Sequence, residues 1–586
     1  MALAKTVDGF VSLLDGVHGG LDPRVLKPTS FSRGINASCR EGLVHTRPGF
    51  VKEDVTLTPG LFQGAHTWSL NSGDRLVYVV DGILYSMYVD TLEVVSHGLR
   101  MDPTAQCYFV QAERFLVVQD GTSEPTVLEE LAGVATIKDL GERAIDPTTE
   151  PIYWTVPLWP GTVMGFAHGR IHMVPRYLPS TTDNGRTLIL SSDVTDVEDP
   201  STCLYVTEDY YLSEGGPLSL PLEMGYIYGV APFRNNQTGT GYGSLVVFAR
   251  RGVCAFDMSI PRSQWKADDQ QLGQVLFFGP GTTSPWSIFS VNGDLAYRGP
   301  DGIRFIRYSG SNLQGGSGVL SNIPQSAEMS PYLDADLSDY MPYVSGSVCN
   351  NRLYMTTGGT GIRCFQAAIV LDLAVVSGFQ GAEAPIYNGI WQLPGQAPIA
   401  QVLTAYRDDI EAQYAFAEGP ELYRLDETAV LDEGGARIRS RIVTKLFDFD
   451  TAVNVLRLKF IELGLSDLYH DVDITMRFRP EGFPLWTTFG TKHIEVPEGS
   501  LPQRRRKVRL GFYNALLDSC DPAIQEILCQ GQAFQIMLEF EGYNKVNYMR
   551  LVVSDLGDDK ADPCAEENVE PIVATDTSVI IGEYLE

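Results

Sequence analysis

Seven times between Ser72 and Asp426 the chain repeats one phrase: a turn with polar residues, a short apolar strand, a second turn, a second short strand. It reads SGDRLVYVVDGILYSMYV from Ser72, AERFLVVQDGTSEPTVL from Ala112, and HGRIHMVPR from His168, whose partner RTLILSS follows a long insertion. It returns as GSLVVFARRGVCAFDM from Gly243, NGDLAYRGPDGIRFIRY from Asn292, NNRLYMTTGG from Asn350 with FQAAIVLDL as partner, and EAQYAFAEGPELYRLD from Glu411. The starts lie 40, 56, 75, 49, 58 and 61 residues apart. Asp81-Gly82 and Asp301-Gly302 are strong tight-turn signals. One hairpin cannot bury both its faces, so an array of them must stack unit on unit. The expected fold is therefore all-β: a degenerate β-propeller of six or seven blades over residues 61–436, with uneven loop insertions. A pair of packed β-sandwiches is the competing architecture.

The rest of the chain has a different rhythm. VLRLKFIEL alternates Leu456, Leu458 and Phe460 with Arg457 and Lys459. DVDITMRFRP sets Val472, Ile474, Met476 and Phe478 against Asp473, Thr475, Arg477 and Arg479, and FQIMLEFEG puts Phe534, Ile536, Leu538 and Phe540 on one face. A period of two with one polar face describes strands that cover a core on one side only. Residues 437–560 are expected to form a β-sandwich platform. A short helix is expected at DPAIQEILCQG, with Asp521 as cap, Pro522 in its first turn and Gly531 as its stop. Residues 561–586 read as an acidic tail.

Gly and Pro together number 57 + 34 = 91 of 586 residues, which fits many turns between short strands. The net charge of −29 excludes coating of nucleic acid by bulk charge. Asp8 and Asp15 interrupt any apolar leader, and the best apolar run, residues 367–376, is short and contains Asp372. The nine cysteines are scattered without a CxxC pair, as expected of reduced, buried thiols in a protein made in the cytosol.

Chemistry-bearing motifs are sparse. Walker, HExxH and GxSxG patterns are missing, and the Gly-rich run at 239–243 sits in a polar loop. His168 and His172 share a strand face by alternation but have no acidic or Cys ligand near in sequence. DADLSD, with Asp334, Asp336 and Asp339, lacks the Gly and distal Glu of an EF-hand and reads as a solvated acidic loop. Carboxylate pairs drawn from distant blades stay open, although the Asp-box of propeller sialidases is missing. The expectation is no catalytic residue, no metal and no cofactor. One basic run stands out, Arg504, Arg505, Arg506 and Lys507. It reads either as a solvated strand edge or as a docking patch for an acidic neighbouring subunit, with DNA binding a third option.

A turn-rich GGLDP start and the order Asn36, Gly42, Leu43, Arg47, Pro48, Gly49, Phe50 precede the propeller and the C-terminal sandwich. Together they resemble the nozzle, or tail-tubular, proteins of short-tailed bacteriophages. The resemblance implies a structural virion protein made in the host cytoplasm. Its relatives form a ring, six copies, below the adaptor; the ring conducts genomic DNA without sequence-specific binding and mounts fibres or spikes. It implies no catalysis. It also suggests that residues 1–60 form an extended segment docking as a strand on the platform, with Pro48-Gly49 turning the chain away. A DNA conduit further needs weak wall contact, so a predominantly acidic lumen is expected. Two alternatives remain at this point: a carbohydrate-binding or depolymerase propeller of a phage tail, and a tail-tip connector of a longer-tailed phage.

Overall fold

The computed structural model describes residues between Lys5 and Asp555. The main stretches outside the described set are 1–4, 145–153, 177–186, 207–216, 234–243, 266–272, 307–323, 374–385, 450–454, 498–505, 512–529 and 556–586, with some shorter ones.

Each repeated phrase proves to be the second and third strands of a blade, in all seven cases. The first blade shows the plan: Phe62–Leu70, Gly73–Val80, Ile83–Tyr88 and Val94–Leu99 pair in order, all antiparallel. The second, third and fourth blades span residues 108–138, 161–219 and 227–278. The fifth has three described strands over 289–305, the sixth covers 346–391, and the seventh begins with Ile399–Arg407. This all-β propeller is the expected fold class, with seven blades among the described residues.

In the first, second, third, sixth and seventh blades a two-residue turn, at or just before the start of the phrase, joins first and second strands. In His168-Gly169, Asn350-Asn351 and Asp408-Asp409 both central residues have positive φ, between 48° and 71°. That is the turn whose twist matches the flanking strands, and Asn, Asp and Gly tolerate it best. His168 therefore does not share a strand face with His172, as alternation suggested. It turns the chain, while His172 is buried within Arg170–Pro175.

Neighbouring first strands converge on the axis, and small residues let them approach. A Cβ on Gly229 would lie 1.9 Å from Ile288 Cδ1, and one on Gly346 would lie 2.1 Å from Phe289 Cε1. Glutamine amides then stitch blades together by copying the donor–acceptor pair of a peptide group. Gln401 accepts from Ala65 N at 2.8 Å and donates to Ala65 O at 2.9 Å, joining blade seven to blade one. Gln111 makes the same pair with Ser69 from blade two to blade one.

The platform is a sandwich of two sheets. Arg439–Phe447, Phe534–Glu541, Val472–Pro480 and Thr487–Ile494 make one layer; Leu456–Ser466, Arg506–Gly511 and Lys545–Asp555 make the other. Val472, Ile474, Met476 and Phe478 face Phe534, Ile536, Leu538 and Phe540 in one buried cluster, as the alternation implied. Phe460 departs from it. A bulge between Leu458 and Phe460 shifts the register against Lys545–Asp555, so Ile461 continues the core row in its place. Most of the expected helix at 521–531 lies outside the described residues; its last two residues, Gln530–Gly531, pair as a strand with Leu456 and Arg457.

The N-terminal segment weaves the two parts together. Lys5–Phe10 pairs with Lys545–Asp555, and Ser30–Ile35 lies against Arg439–Phe447 while Ile35 pairs with Ile390 of the sixth blade. Val44–Thr46 adds to the far end of Lys545–Asp555. After Pro48 the chain crosses to the propeller, where Gly49–Lys52 pairs with Glu421–Asp426 as the fourth strand of the seventh blade. The segment therefore serves both platform and propeller. One hydrophobic cluster runs from Val291 and Leu353 in the blades to Leu463 and Leu551 in the sandwich, so the core does not divide at residue 436.

Overpacking at the axis should be costly. Gly229→Val is expected to lower unfolding free energy by about 1–3 kcal/mol, read as a shift of the urea midpoint at unchanged slope. A midpoint within error of the parent would contradict the axial packing described here.

Candidate functional site

The residues of the N-terminal motif meet at the joint between sandwich, sixth blade and seventh blade. Asn36 adopts φ 51° and donates through Nδ2 to Arg439 O at 2.8 Å. Its Oδ1 accepts from Gln392 N at 2.8 Å and from Arg47 Nε at 3.0 Å. Arg47, only 1% exposed, uses all five guanidinium donors. Besides Asn36 they reach Pro48 O, Gln392 O and both oxygens of Asp432, the last at 2.8 and 2.9 Å. Asp432 Oδ1 also accepts from Phe50 N at 2.9 Å, and the Arg47 guanidinium lies 4.8 Å from the Phe50 ring centre. A Cβ on Gly49 would come within 2.0 Å of Leu431 O, so only glycine passes there. Gly42, with φ 84°, ends a short 3-10 turn, and Leu43 continues half-buried into Val44–Thr46. The motif is thus a hinge-free corner that closes the propeller. Asp432, in the stretch VLDEGG, carried no signal in the sequence.

A second link lies beside it. Arg40 contacts both oxygens of the buried Asp372 at 3.0 and 3.2 Å, and Arg352 shares that carboxylate. Trp391 Nε1 donates to Ala37 O at 2.7 Å. The short apolar run around Asp372 is therefore a blade strand holding the N-terminal segment.

The seven first strands enclose an axial cavity of about 660 Å³. His66 is the one ionisable side chain other than tyrosine among its lining residues. Burial pushes its pKa down to about 4, and its ring stacks on Phe109. Trp286 lines the cavity, but no carboxylate does. The lining polar groups already serve the scaffold, as Gln401 and Gln111 show.

The basic run sits at the edge of the sandwich. Arg504 and Arg505 lie outside the described residues. Arg506 and Lys507 open the strand Arg506–Gly511, both exposed. Lys507 Nζ lies 2.8 Å from Glu462 Oε2 and Arg509 Nη2 lies 2.9 Å from the same oxygen. Hydrogen bonding to Lys507 foremost holds the Glu462 carboxyl down to about 2, although its side chain is 3% exposed. Lys507 thus has an internal partner. On the outer face of the opposite layer Arg441 and Arg477 share one carboxylate, Glu539, at 2.8 and 2.9 Å.

The DADLSD loop is solvated at two of its three aspartates and departs from the expectation at Asp336. Asp336 is buried with Arg298 at 3.2 Å, and it accepts from Gly358 N at 2.7 Å and Thr357 Oγ1 at 3.0 Å. Asp334 and Asp339 are exposed. His172 is satisfied by Ser191 Oγ and Ala167 O, and burial lowers its pKa to about 3. The six described cysteines are buried, and burial raises each of their pKa values. Among the described residues no His, Cys, Asp and Glu gather as a metal site, and no helix is long and apolar enough to cross a membrane.

No protein-family model and no curated protein matches the chain. Among solved structures it is similar to a chain of a mitotic checkpoint complex, at 12% identity and TM-score 0.34 over 68% of this chain and 95% of that one. It is also similar to a structure of BBS1N in complex with ARL6DN, at 12% identity and TM-score 0.32 over 66% and 99%. YCF48 bound to D1 peptide gives 11% identity and TM-score 0.32 over 65% and 95%. Scores this low leave the fold to be read from the chain's own sheets.

The joint makes a quantitative demand. Arg47→Ala would strand the buried Asp432 carboxylate and should cost about 3–5 kcal/mol of stability. Arg47→Lys keeps the charge but loses the fork, and should recover only part of the loss. Chemical denaturation of both variants tests this; an Arg47→Ala protein as stable as the parent would contradict it.

Proposed function

We propose that this chain is a structural protein of a phage tail: the nozzle, a ring-forming DNA conduit below the adaptor ring that also mounts fibres or spikes. The observation that carries the reading is the joint. Five of the seven motif residues that resemble the nozzle family, Asn36, Arg47, Pro48, Gly49 and Phe50, lie at the contact that locks the propeller onto the sandwich, which supports the reading. The lack of an organised carboxylate or metal cluster among the described residues fits a scaffold better than an enzyme.

The axial cavity of about 660 Å³ is lined by two to four residues from each first strand. The major groove of a duplex alone is about 12 Å wide. The propeller axis is too narrow for a duplex, so a conduit must form between copies. Six copies carry 6 × −29 = −174 charges. An acidic wall holds few phosphates and lets the duplex slide, and screening over about 8 Å limits repulsion to close approach.

The carbohydrate-binding alternative has one observation in its favour, Trp286 in the axial cavity. The absence of a carboxylate in that lining weighs against hydrolysis there.

Cryo-electron microscopy of the purified chain and of assembled tails should show rings, hexameric in the family's pattern, with the passage between subunits. A chain that stays monomeric and is missing from tails would overturn the reading, and cleavage of host polysaccharide by the pure protein would favour the alternative. Arg504→Glu, Arg505→Glu and Arg506→Glu together, with Lys507 left on Glu462, should reduce incorporation into tails at least about ten-fold while the monomer stays folded. Normal incorporation would return this run to a solvated strand edge.

A further inference from the structure

In a chain of net charge −29, one surface is strongly basic. Along Leu456–Ser466, Arg506–Gly511 and Lys545–Asp555 the core positions alternate with outward ones. The outward residues include Arg457, Lys459, Lys507, Arg509 and Arg550. Glu462 is the carboxylate among them, and it is buried beneath Lys507 and Arg509. Among the described residues of these three strands the face carries 5 − 1 = +4, with Arg506 exposed at its rim. The opposite layer's outer face carries a smaller excess, with Arg437, Arg439, Arg441, Arg477 and Arg479 against Asp473, Glu539 and Glu541, 5 − 3 = +2 among the described residues.

The sequence supplies a matching polyanion at the edge of this face. Residues 556–586 hold nine acidic residues and one lysine, 1 − 9 = −8. They leave directly from Asp555, at the end of a strand of the basic sheet, where Ser554 stands opposite Arg457. We propose that in the free chain the acidic stretch 558–570 lies across this basic face in cis. The proposal is independent of the ring and nozzle reading.

Reach and tethering favour it. From Leu456 to Gly464, which stands opposite Lys507, is about 26 Å at 3.3 Å per residue. The thirteen residues 558–570 span about 43 Å when extended, enough to pass from Arg457 to Lys507 and Arg509. Each exposed ion pair is weak, but a short tether gives an effective concentration in the millimolar range, which a free partner rarely matches. The same chain's surplus negative charge disfavours approach of a nucleic acid at distances beyond screening.

Zero-length carbodiimide cross-linking of the full chain, as a dilute mixture of isotopically light and heavy protein, tests the proposal. The expected result is intrachain links from Lys459 and Lys507 to Asp558, Asp559, Asp562, Glu566, Glu567 or Glu570, falling at least about five-fold between 0.05 and 0.5 M salt. Arg509→Gln with Arg550→Gln should lower the same links by a similar factor while links elsewhere persist. Mixed-isotope links would assign the face to a second copy and overturn the cis contact. So would tail links of equal yield to Lys52 and Lys138, or no tail links at all. Displacement of the tail links by a short duplex DNA at 0.15 M salt would instead assign the face to nucleic acid.

Discussion

A ring of sheets is stable only if its last blade is finished, and here the finishing strand comes from the other end of the chain. Gly49–Lys52 completes a blade whose other strands lie between Ile399 and Asp426. Bringing those ends together closes a loop of more than 370 residues, and the entropy of closure grows only slowly with length. What decides the outcome is whether the closing strand is held. The buried Arg47–Asp432 pair holds it, with Asn36 tying the same guanidinium to the first strand of the sandwich. A buried pair of this kind is weak evidence for net stability, but each partner forbids any geometry that leaves the other unsatisfied. Register and corner are specified together.

That corner explains why the sandwich is no appendage. The chain lays Lys5–Phe10 and Ser30–Ile35 on the sandwich before it turns into the propeller, and it returns to the sandwich at Arg439. The shared hydrophobic cluster and the Asp372 links to Arg40 and Arg352 reinforce the same seam. The axis of the propeller is built differently, from glycines that admit neighbouring side chains and glutamines that imitate peptide groups. Both devices favour a rigid axis.

The middle of every blade was legible because second and third strands are apolar, short and bracketed by turns that need Asn, Asp or Gly. First strands were harder to read, since residues such as Gly165, Gly229 and Gly346 sit where bulk would clash at the axis. Fourth strands such as Val94–Leu99 are half exposed and lose the apolar signature. The pairing of Gly49–Lys52 with Glu421–Asp426 has no local signal at all, because its partners lie hundreds of residues apart. Nothing in the sequence marked Arg47 as buried, and Asp336 read as part of a solvated loop. Each is buried by a partner, Asp432 or Arg298, that only tertiary structure brings near. Phe460 left its expected face because one bulge shifts the period of two.

The central claim is that propeller and sandwich form one cooperative unit closed at the N-terminal corner. Native-state hydrogen exchange of the full chain measures this most directly. The account predicts that amides of Gly49–Lys52 and Glu421–Asp426 open with the same free energy, and the same denaturant dependence, as those of Arg439–Phe447 and Leu456–Ser466. Two separate isotherms, with the seventh blade opening while the sandwich stays protected, would contradict it.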